Sequence, residues 1–249
     1  MSRAVIGAPR TALVFAMRRA QGFRWLSLAF ALAACNHALA APPRKVEIAY
    51  DLLRNGMPLG AVTSRLEWSG GSYSVTEQVR GRGAFARSGE AVRSSKGNVT
   101  RDGLRPLEFE DRRTGRDTAR ARFDWSAKTL TLQYKGAPST QALPAAAHDQ
   151  LSYLYGFAFR QPGSRPFTVN VSDGRGVSTH VYRVAGRERL KTAAGDFDTL
   201  RIVRQKDAPG DRGAEIWLAV DRHFLPVRIV LTEKQGVRLE QTAARVALQ

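Results

Sequence analysis

Apolar and polar residues alternate at period two along most of the chain beyond Ala40. In "KVEIAYDLLRNGMPLGAVTSRLEW", Val46, Ile48 and Tyr50 recur on one side, Asn55-Gly56 interrupts, and the run resumes through Val62 and Leu66 to Trp68. Such alternation predicts half-buried strands. Asn-Gly between two of them predicts a hairpin, because both residues accept positive φ at little cost. Met57-Pro58-Leu59-Gly60 follows at once, so the hairpin tip is expected to be irregular or longer than two residues. "SGG", residues 69–71, turns the chain into "SYSVTEQV", where Tyr73 and Val75, continued at Glu77 or Val79, mark a half-buried face. Gly81, Gly83 and Gly89 in "RGRGAFARSGE" lack the Gly-Lys-Ser/Thr ending of a phosphate loop, and are expected to serve a turn, bulge or barrel bend. Further strands are expected near 91–100, 107–113, 118–125 and 129–134, with turns at Asp102-Gly103 and 126–128.

One segment changes period. In "HDQLSYLYGFAF", Leu151, Leu154, Tyr155 and Ala158 fall at i, i+3, i+4 and i+7, one helical stripe. Asp149 is placed to cap its first turn, and Pro162 and Gly163 are expected to end it. A lone amphipathic helix among strands packs on the end or concave face of the sheet, either as core or as a lid over a ligand cavity. After it the strands return through "PFTVNVSDG", "GVSTHVYRVAG", "GDFDTLRIVRQ" and "AEIWLAVDRHFLPVRIVLTEKQGVRLEQTAARVAL". Pro106 and Pro226 are expected at strand starts or edges, where no ladder donor is needed. The fold class that follows is mainly β: a single large curved antiparallel sheet, an open or half barrel, with one short amphipathic helix packed against it. No polar linker divides residues 41–249, which are expected to form one domain.

The first 40 residues break the pattern. Arg18, Arg19 and Arg24 precede the uncharged run "WLSLAFALAA" of 10 residues, and small residues follow, the layout of an export signal. Ten residues rise about 15 Å as a helix, half of what a bilayer core requires. Met17 begins a leader of more ordinary length and is the expected start. The leader offers two cuts. Leu32-Ala33-Ala34-Cys35 is a lipobox that would leave a lipid anchor on Cys35; Ala38-Leu39-Ala40 is an A-x-A site that would release a free periplasmic domain. The second is the expected cut, and the lipid-anchored form through Cys35 is the alternative. Beyond Ala40 there is no cysteine, so the domain relies on its core rather than on disulfides.

The chain carries a net charge of +17, and residues 1–40 hold five arginines and no acids, which leaves 17 − 5 = +12 for the rest. Export removes nucleic acid as a partner and leaves anionic membrane surfaces or envelope proteins. Thirty-two arginines against 7 lysines, scattered without a dense basic block, fit composition bias on solvated strand faces.

Chemistry-bearing motifs are few. His148, His180 and His223 are too scattered for a metal motif, and no G-x-S-x-G or His-Glu-x-x-His is present. No catalytic residue, metal site or cofactor is nominated. The residues that must be buried are aromatic and aliphatic, and the expected lining of an apolar cavity is Trp68, Phe109, Trp125, Leu154, Tyr155, Trp217 and Phe224.

The ordered segments "IAYDLLRNGMPLGAV", "VTRDGLRPLEFE", "FDW", "HDQLSYLYGFAF", "AAGDFDTLRIVR" and "EIWLAVDRHFLPVRIVLTEKQG" resemble the exported bacterial family called domain of unknown function 3108, over residues 46–246. That resemblance implies an envelope protein rich in antiparallel strands, and supplies no catalytic residues. Trp217, Asp221, Leu225-Pro226 and Gly236 are also similar to the periplasmic lipoprotein carriers, which wrap an open β-barrel around acyl chains beneath a helical lid. This chain offers one helix where the carriers have several. Three functions are therefore expected in order: a periplasmic binder of a lipid or other amphiphile, an envelope structural or interaction protein using a basic face or sheet edge, and a hydrolase with a dispersed site.

Overall fold

The computed structural model describes residues 42–249 save 207 and 209. The leader, the start at Met17, the cut at Ala40 and Cys35 lie outside the described residues. The strands are β1 (Lys45–Arg54), β2 (Met57–Ser69), β3 (Ser72–Gly81), β4 (Glu90–Thr100), β5 (Gly103–Arg113), β6 (Ala119–Asp124), β7 (Thr129–Gln133) and β8 (Ser139–Ala142). They continue as β9 (Ala147–Asp149), β10 (Phe167–Ser172), β11 (Val177–Thr192), β12 (Gly195–Arg204), β13 (Gly213–Ala219), β14 (Leu225–Thr232) and β15 (Arg238–Leu248). One α-helix, α1 (Ser152–Gly156), lies between β9 and β10. No helix among the described residues is long and apolar enough to cross a membrane.

All 15 strands belong to one sheet, in the order β8-β7-β6-β5-β4-β3-β2-β1-β15-β14-β13-β12-β11-β10-β9. Its two edge strands, β8 and β9, are consecutive in the chain. Ala142 ends one and Ala147 begins the other, five Cα steps that reach at most about 19 Å. Laid flat, fourteen inter-strand gaps would separate the same edges by about 67 Å. The sheet has to curl until its edges approach. The edges do not pair with each other, so the curl is an open barrel with a seam.

Side chains close that seam. The β10–β11 turn docks on β6: a Cβ built on Gly174, whose φ is +80°, would lie 2.9 Å from Ala119 C and Arg120 N. The neighbouring Arg175 reaches β5, where its Nη1 donates to Asp111 Oδ2 at 3.0 Å, and its guanidinium covers the Tyr134 ring at 4.6 Å. From β9, Asp149 accepts the Ser95 hydroxyl of β4 at 2.6 Å.

The expected alternation holds on β1 to β3, where Val46, Ile48, Tyr50, Val62, Leu66, Tyr73 and Val75 all face the core. The first hairpin corrects one expectation. Asn55 (φ 50°) and Gly56 (φ 79°) make a two-residue turn, and β2 begins at Met57. The irregularity sits further along, where Leu53 pairs with Pro58 but Leu52 with Gly60. Pro106 and Pro226 have the same setting. Gly97 pairs with Pro106 and Lys96 with Glu108; Leu218 pairs with Pro226 and Trp217 with Arg228. Each proline precedes one extra residue, a bulge, which lets it sit within a sheet without its missing N–H breaking a ladder bond. Pro106, expected at a start or an edge, is thus interior to β5.

Two further expectations are corrected. The helix is five residues long and stops at Gly156, well before Pro162 and Gly163. The sheet is also not wholly antiparallel, since β9 pairs parallel to β10. The chain between them, 150–166, carries α1 and returns in the same direction, as a parallel pair requires. Asp149 does cap α1 as expected: its Oδ1 accepts the Leu151 and Ser152 N–H groups, both at 2.8 Å. The helix lies inside the curl, against β5 and β14.

Candidate ligand cavity

The interior of the barrel is unusually polar for a core. Ser64, Glu77, Ser95, Asp111, Asp149 and Ser152 are all buried there. Buried polar groups are tolerated when hydrogen-bonded, and most of these are. Tyr50 donates to Pro226 O at 2.7 Å and stands 3.4 Å from Tyr155 Oη, while Ser64 Oγ donates to Glu77 Oε2 at 3.5 Å. Arg93 joins Glu77 to Asp111. Asp111, fully buried, also takes a forked pair of bonds from Arg113 and the single bond from Arg175. Burial pulls its pKa up, but the Arg113 hydrogen bonds and the Arg93 charge outweigh that and hold it below the usual aspartate value.

A second polar group surrounds the start of α1. Burial pushes Asp149 up to about 6, against the bonds from Ser95 and the helix amides. Burial lowers the adjacent His148 to about 4. Ser152 Oγ accepts Asp149 N–H at 2.9 Å and lies 3.4 Å from His148 Nδ1. Serine, histidine and aspartate therefore meet here, but Ser152 is fully buried and its hydroxyl completes the helix cap.

One interior cavity, of about 220 Å³, opens between α1 and the C-terminal strands. Its apolar wall is Leu151, Leu154, Val171, Ala214, Ile229 and Leu231. Among these apolar side chains come Glu77 from β3, Arg93 from β4, Tyr153 from α1, His180 and Tyr182 from β11 and Arg204 from β12. Gln150 and Gln241 also line it, as does the solvent-exposed Arg212–Glu233 ion pair at 2.8 Å. Five buried side-chain polar atoms among the described residues have no hydrogen-bond partner: Arg93 Nε, Gln150 Oε1, His180 Nδ1, Arg228 Nε and Gln241 Oε1. Four of those five residues line this one cavity. Arg93 Nε has Asp111 Oδ1 at 3.6 Å, an ion pair without a hydrogen bond. Other hollows are a 220 Å³ space on the far side of Tyr153, beside His148, and two outer grooves of 660 and 400 Å³ along β4 to β7. In the outer grooves Arg122 is matched by Glu108 and Arg120 by Glu110, each at 3.6 Å, while Arg105 lies over the Trp125 ring.

The seven residues expected to line an apolar cavity all join the core, but not one lining. Leu154 alone reaches the interior cavity. Tyr155 packs against Tyr50, Trp68 meets Phe159 edge-on at 5.6 Å, and Phe109 lies on β5 beside the register partner Ser95. Trp125 stacks on Phe123 and carries the Arg105 guanidinium at 4.2 Å, at the end of an outer groove. Phe224 is buried in the β13–β14 turn. Trp217 points outward: it is the register partner of Arg201, one position from the inward Ile216–Ile202 pair, and lies between the guanidiniums of Arg201 and Arg228. The polar lining was missed because a charged residue at an inward position reads as an exception. Glu77, in phase with Tyr73 and Val75, was the one visible sign.

A curled sheet with a side-chain-closed seam, a plugging helix and a partly polar interior places the protein among the β-barrel-like folds. It has the fold of a β-barrel-like protein of domain of unknown function DUF1849 from Brucella abortus: TM-score 0.58, 10% identity, over 84% of this chain and 99% of that one. A "putative lipoprotein" from Parabacteroides distasonis matches at TM-score 0.35 and 9% identity, over 83% of this chain and 96% of that one. A "putative exported protein with YmcC-like fold" from Bacteroides fragilis matches at 0.34 and 9%, over 83% and 97%. No curated protein matches the chain. Residues 45–242 match the family described as protein of unknown function (DUF3108), and the chain belongs to that family.

Proposed function

We propose that this is a non-catalytic protein of the bacterial envelope, exported by its N-terminal leader, whose interior cavity binds a small amphiphile. The observation that carries the reading is the clustering of unpartnered polar atoms among apolar side chains in one cavity. A buried polar atom without a partner costs about 1–3 kcal/mol, and a ligand that supplies the partner recovers it. Apolar surface with a few convergent polar groups is the ordinary character of a small-molecule site. The volume sets the scale. At 220 Å³ the cavity lies below the usual range of drug-sized pockets, which limits the ligand to a small molecule. Ser152, buried and engaged in capping, has no surface on which to receive a substrate, which supports a binding rather than a hydrolytic role. The test is native mass spectrometry of protein taken from the periplasm without detergent. A bound small molecule is expected on the wild type and not on Ile229→Trp, which fills the cavity; an unliganded mass that also stays unchanged with added octanoate would overturn the reading.

The alternative use, as an interaction protein, is favoured by one feature. Edge strand β8 exposes all four of its residues and leaves one ladder unpaired, the arrangement that accepts a strand from a partner. A photocrosslinker at Gln141 in intact cells should then capture one recurrent envelope protein, and none would sink this use.

A further inference from the structure

We infer that the cavity selects amphiphiles with an anionic head, a carboxylate or a phosphate, received by Arg204 with His180 and Tyr182 beside it. This rests on the cavity being a ligand site, as proposed above. Register fixes the geometry. Arg204 is the last residue of β12 and pairs with Tyr182 on β11, so both side chains leave the sheet on the same face. That face is the interior, since Ile202, two residues earlier, is fully buried there. His180, two residues before Tyr182, points the same way and stands edge-on to its ring at 6.4 Å.

The charges around the cavity do not cancel. Three arginines (Arg93, Arg204, Arg212) face two glutamates (Glu77, Glu233). Glu77 is paired with Arg93 and Glu233 with Arg212, and among the described residues Arg204 has no ion pair. His180 adds no charge: burial first, and the Arg204 charge second, lower its pKa, so its unpartnered Nδ1 is a neutral hydrogen-bonding group. Tyr153 and Tyr182 stay protonated because burial raises both. A partly buried guanidinium that lines a cavity without an ion pair of its own among the described residues attracts an anion and repels a cation, and charge-assisted bonds to a planar carboxylate or a phosphate suit it. The net charge of +12 over residues 41–249 (17 − 5) draws anions toward the molecule as a whole. Gln150 and Gln241 can then bond the polar atoms of the head, with the tail on Val171, Ile229 and Leu231.

The experiment is calorimetric titration of the folded exported chain with four probes that share one tail: octanoate, octyl phosphate, octylammonium and octanol. Octanoate or octyl phosphate is expected to bind at least about tenfold more tightly than octanol, the scale of one hydrogen bond to a charged group, and octylammonium more weakly than octanol. Whichever anion binds tighter identifies the head. Arg204→Gln should abolish the anion preference, so that octanoate, octyl phosphate and octanol bind that variant within about twofold of one another. Added salt should weaken the anions alone, a check on the wild type that needs no variant. Equal affinity for octanoate, octyl phosphate and octanol, or a preference that survives in Arg204→Gln, would overturn the inference while leaving the cavity as a site. If none of the four binds, the cavity reading itself has failed.

Discussion

His148 and Asp149 are neighbours in β9, Asp149 fully buried and His148 half-buried, and their ionisation should drive stability in opposite directions over one pH range. Asp149 moves from an ordinary 3.8 to about 6, so between those values the native state holds a proton that the unfolded chain has released. Its contribution to stability therefore falls as pH rises through that window, by about 2 pKa units or roughly 3 kcal/mol. His148 moves from 6.5 down to about 4, so the unfolded chain holds the extra proton. Its contribution rises with pH over nearly the same interval, again by roughly 3 kcal/mol. The pair nearly cancels in the wild type, and each substitution should expose the other residue. Asp149→Asn keeps an oxygen to cap the Leu151 and Ser152 amides, and His148→Gln keeps a polar group near Ser152. Urea unfolding at pH 4, 5, 6 and 7 gives the curves. From about pH 4 to about pH 6, wild-type stability minus that of Asp149→Asn should fall by roughly 3 kcal/mol. Over the same interval, the difference for His148→Gln should rise by a similar amount, while other acids cancel in both differences. Two differences with the same sign of slope, or two flat ones, would refute the burial of this pair.

Two further perturbations test the seam. Asp111→Asn leaves Arg93, Arg113 and Arg175 without their shared carboxylate and should cost about 3 kcal/mol, the low end for breaking a buried ion pair because the arginines are partly solvated. Because the folded pKa of Asp111 is lowered, that cost should be full above the ordinary aspartate value and shrink as pH falls below it, as urea curves at several pH values would record. Gly174→Ala places a Cβ against the β6 backbone at a φ of +80° and should lower stability by more than about 1 kcal/mol, whereas the same change at Gly115, also at positive φ but with open space around it, should cost less by thermal melting.

The sequence made most of the sheet legible and little of the cavity. Val46, Ile48 and Tyr50 declare their inward face by alternation alone, and Asn55-Gly56 declares the first turn, because both signals are local. β8, "STQA", stayed hidden because it is exposed throughout and has no apolar residue to alternate beyond Ala142. β9 stayed hidden because it is three residues long, and its parallel partner lies across the α1 crossover. The aromatic residues were visible as buried, but not by which face: Trp217 is covered from outside by Arg201 and Arg228, a contact between three strands that no local pattern encodes. Arg204 comes beside Tyr182, and so near His180, only through the register of β11 on β12, which no local pattern encodes. Polar groups turned inward look, in a single sequence, like noise in the alternation.

Where a small amphiphile lies in the molecule is the most direct test of the interior cavity as its site. Methyl-labelled protein titrated with octanoate, observed by NMR, measures this. Shifts and nuclear Overhauser contacts should concentrate on Leu151, Leu154, Val171, Ile229 and Leu231, the wall of the interior cavity. Contacts confined to Leu107 in the outer groove, or a spectrum that octanoate leaves unchanged, would contradict it.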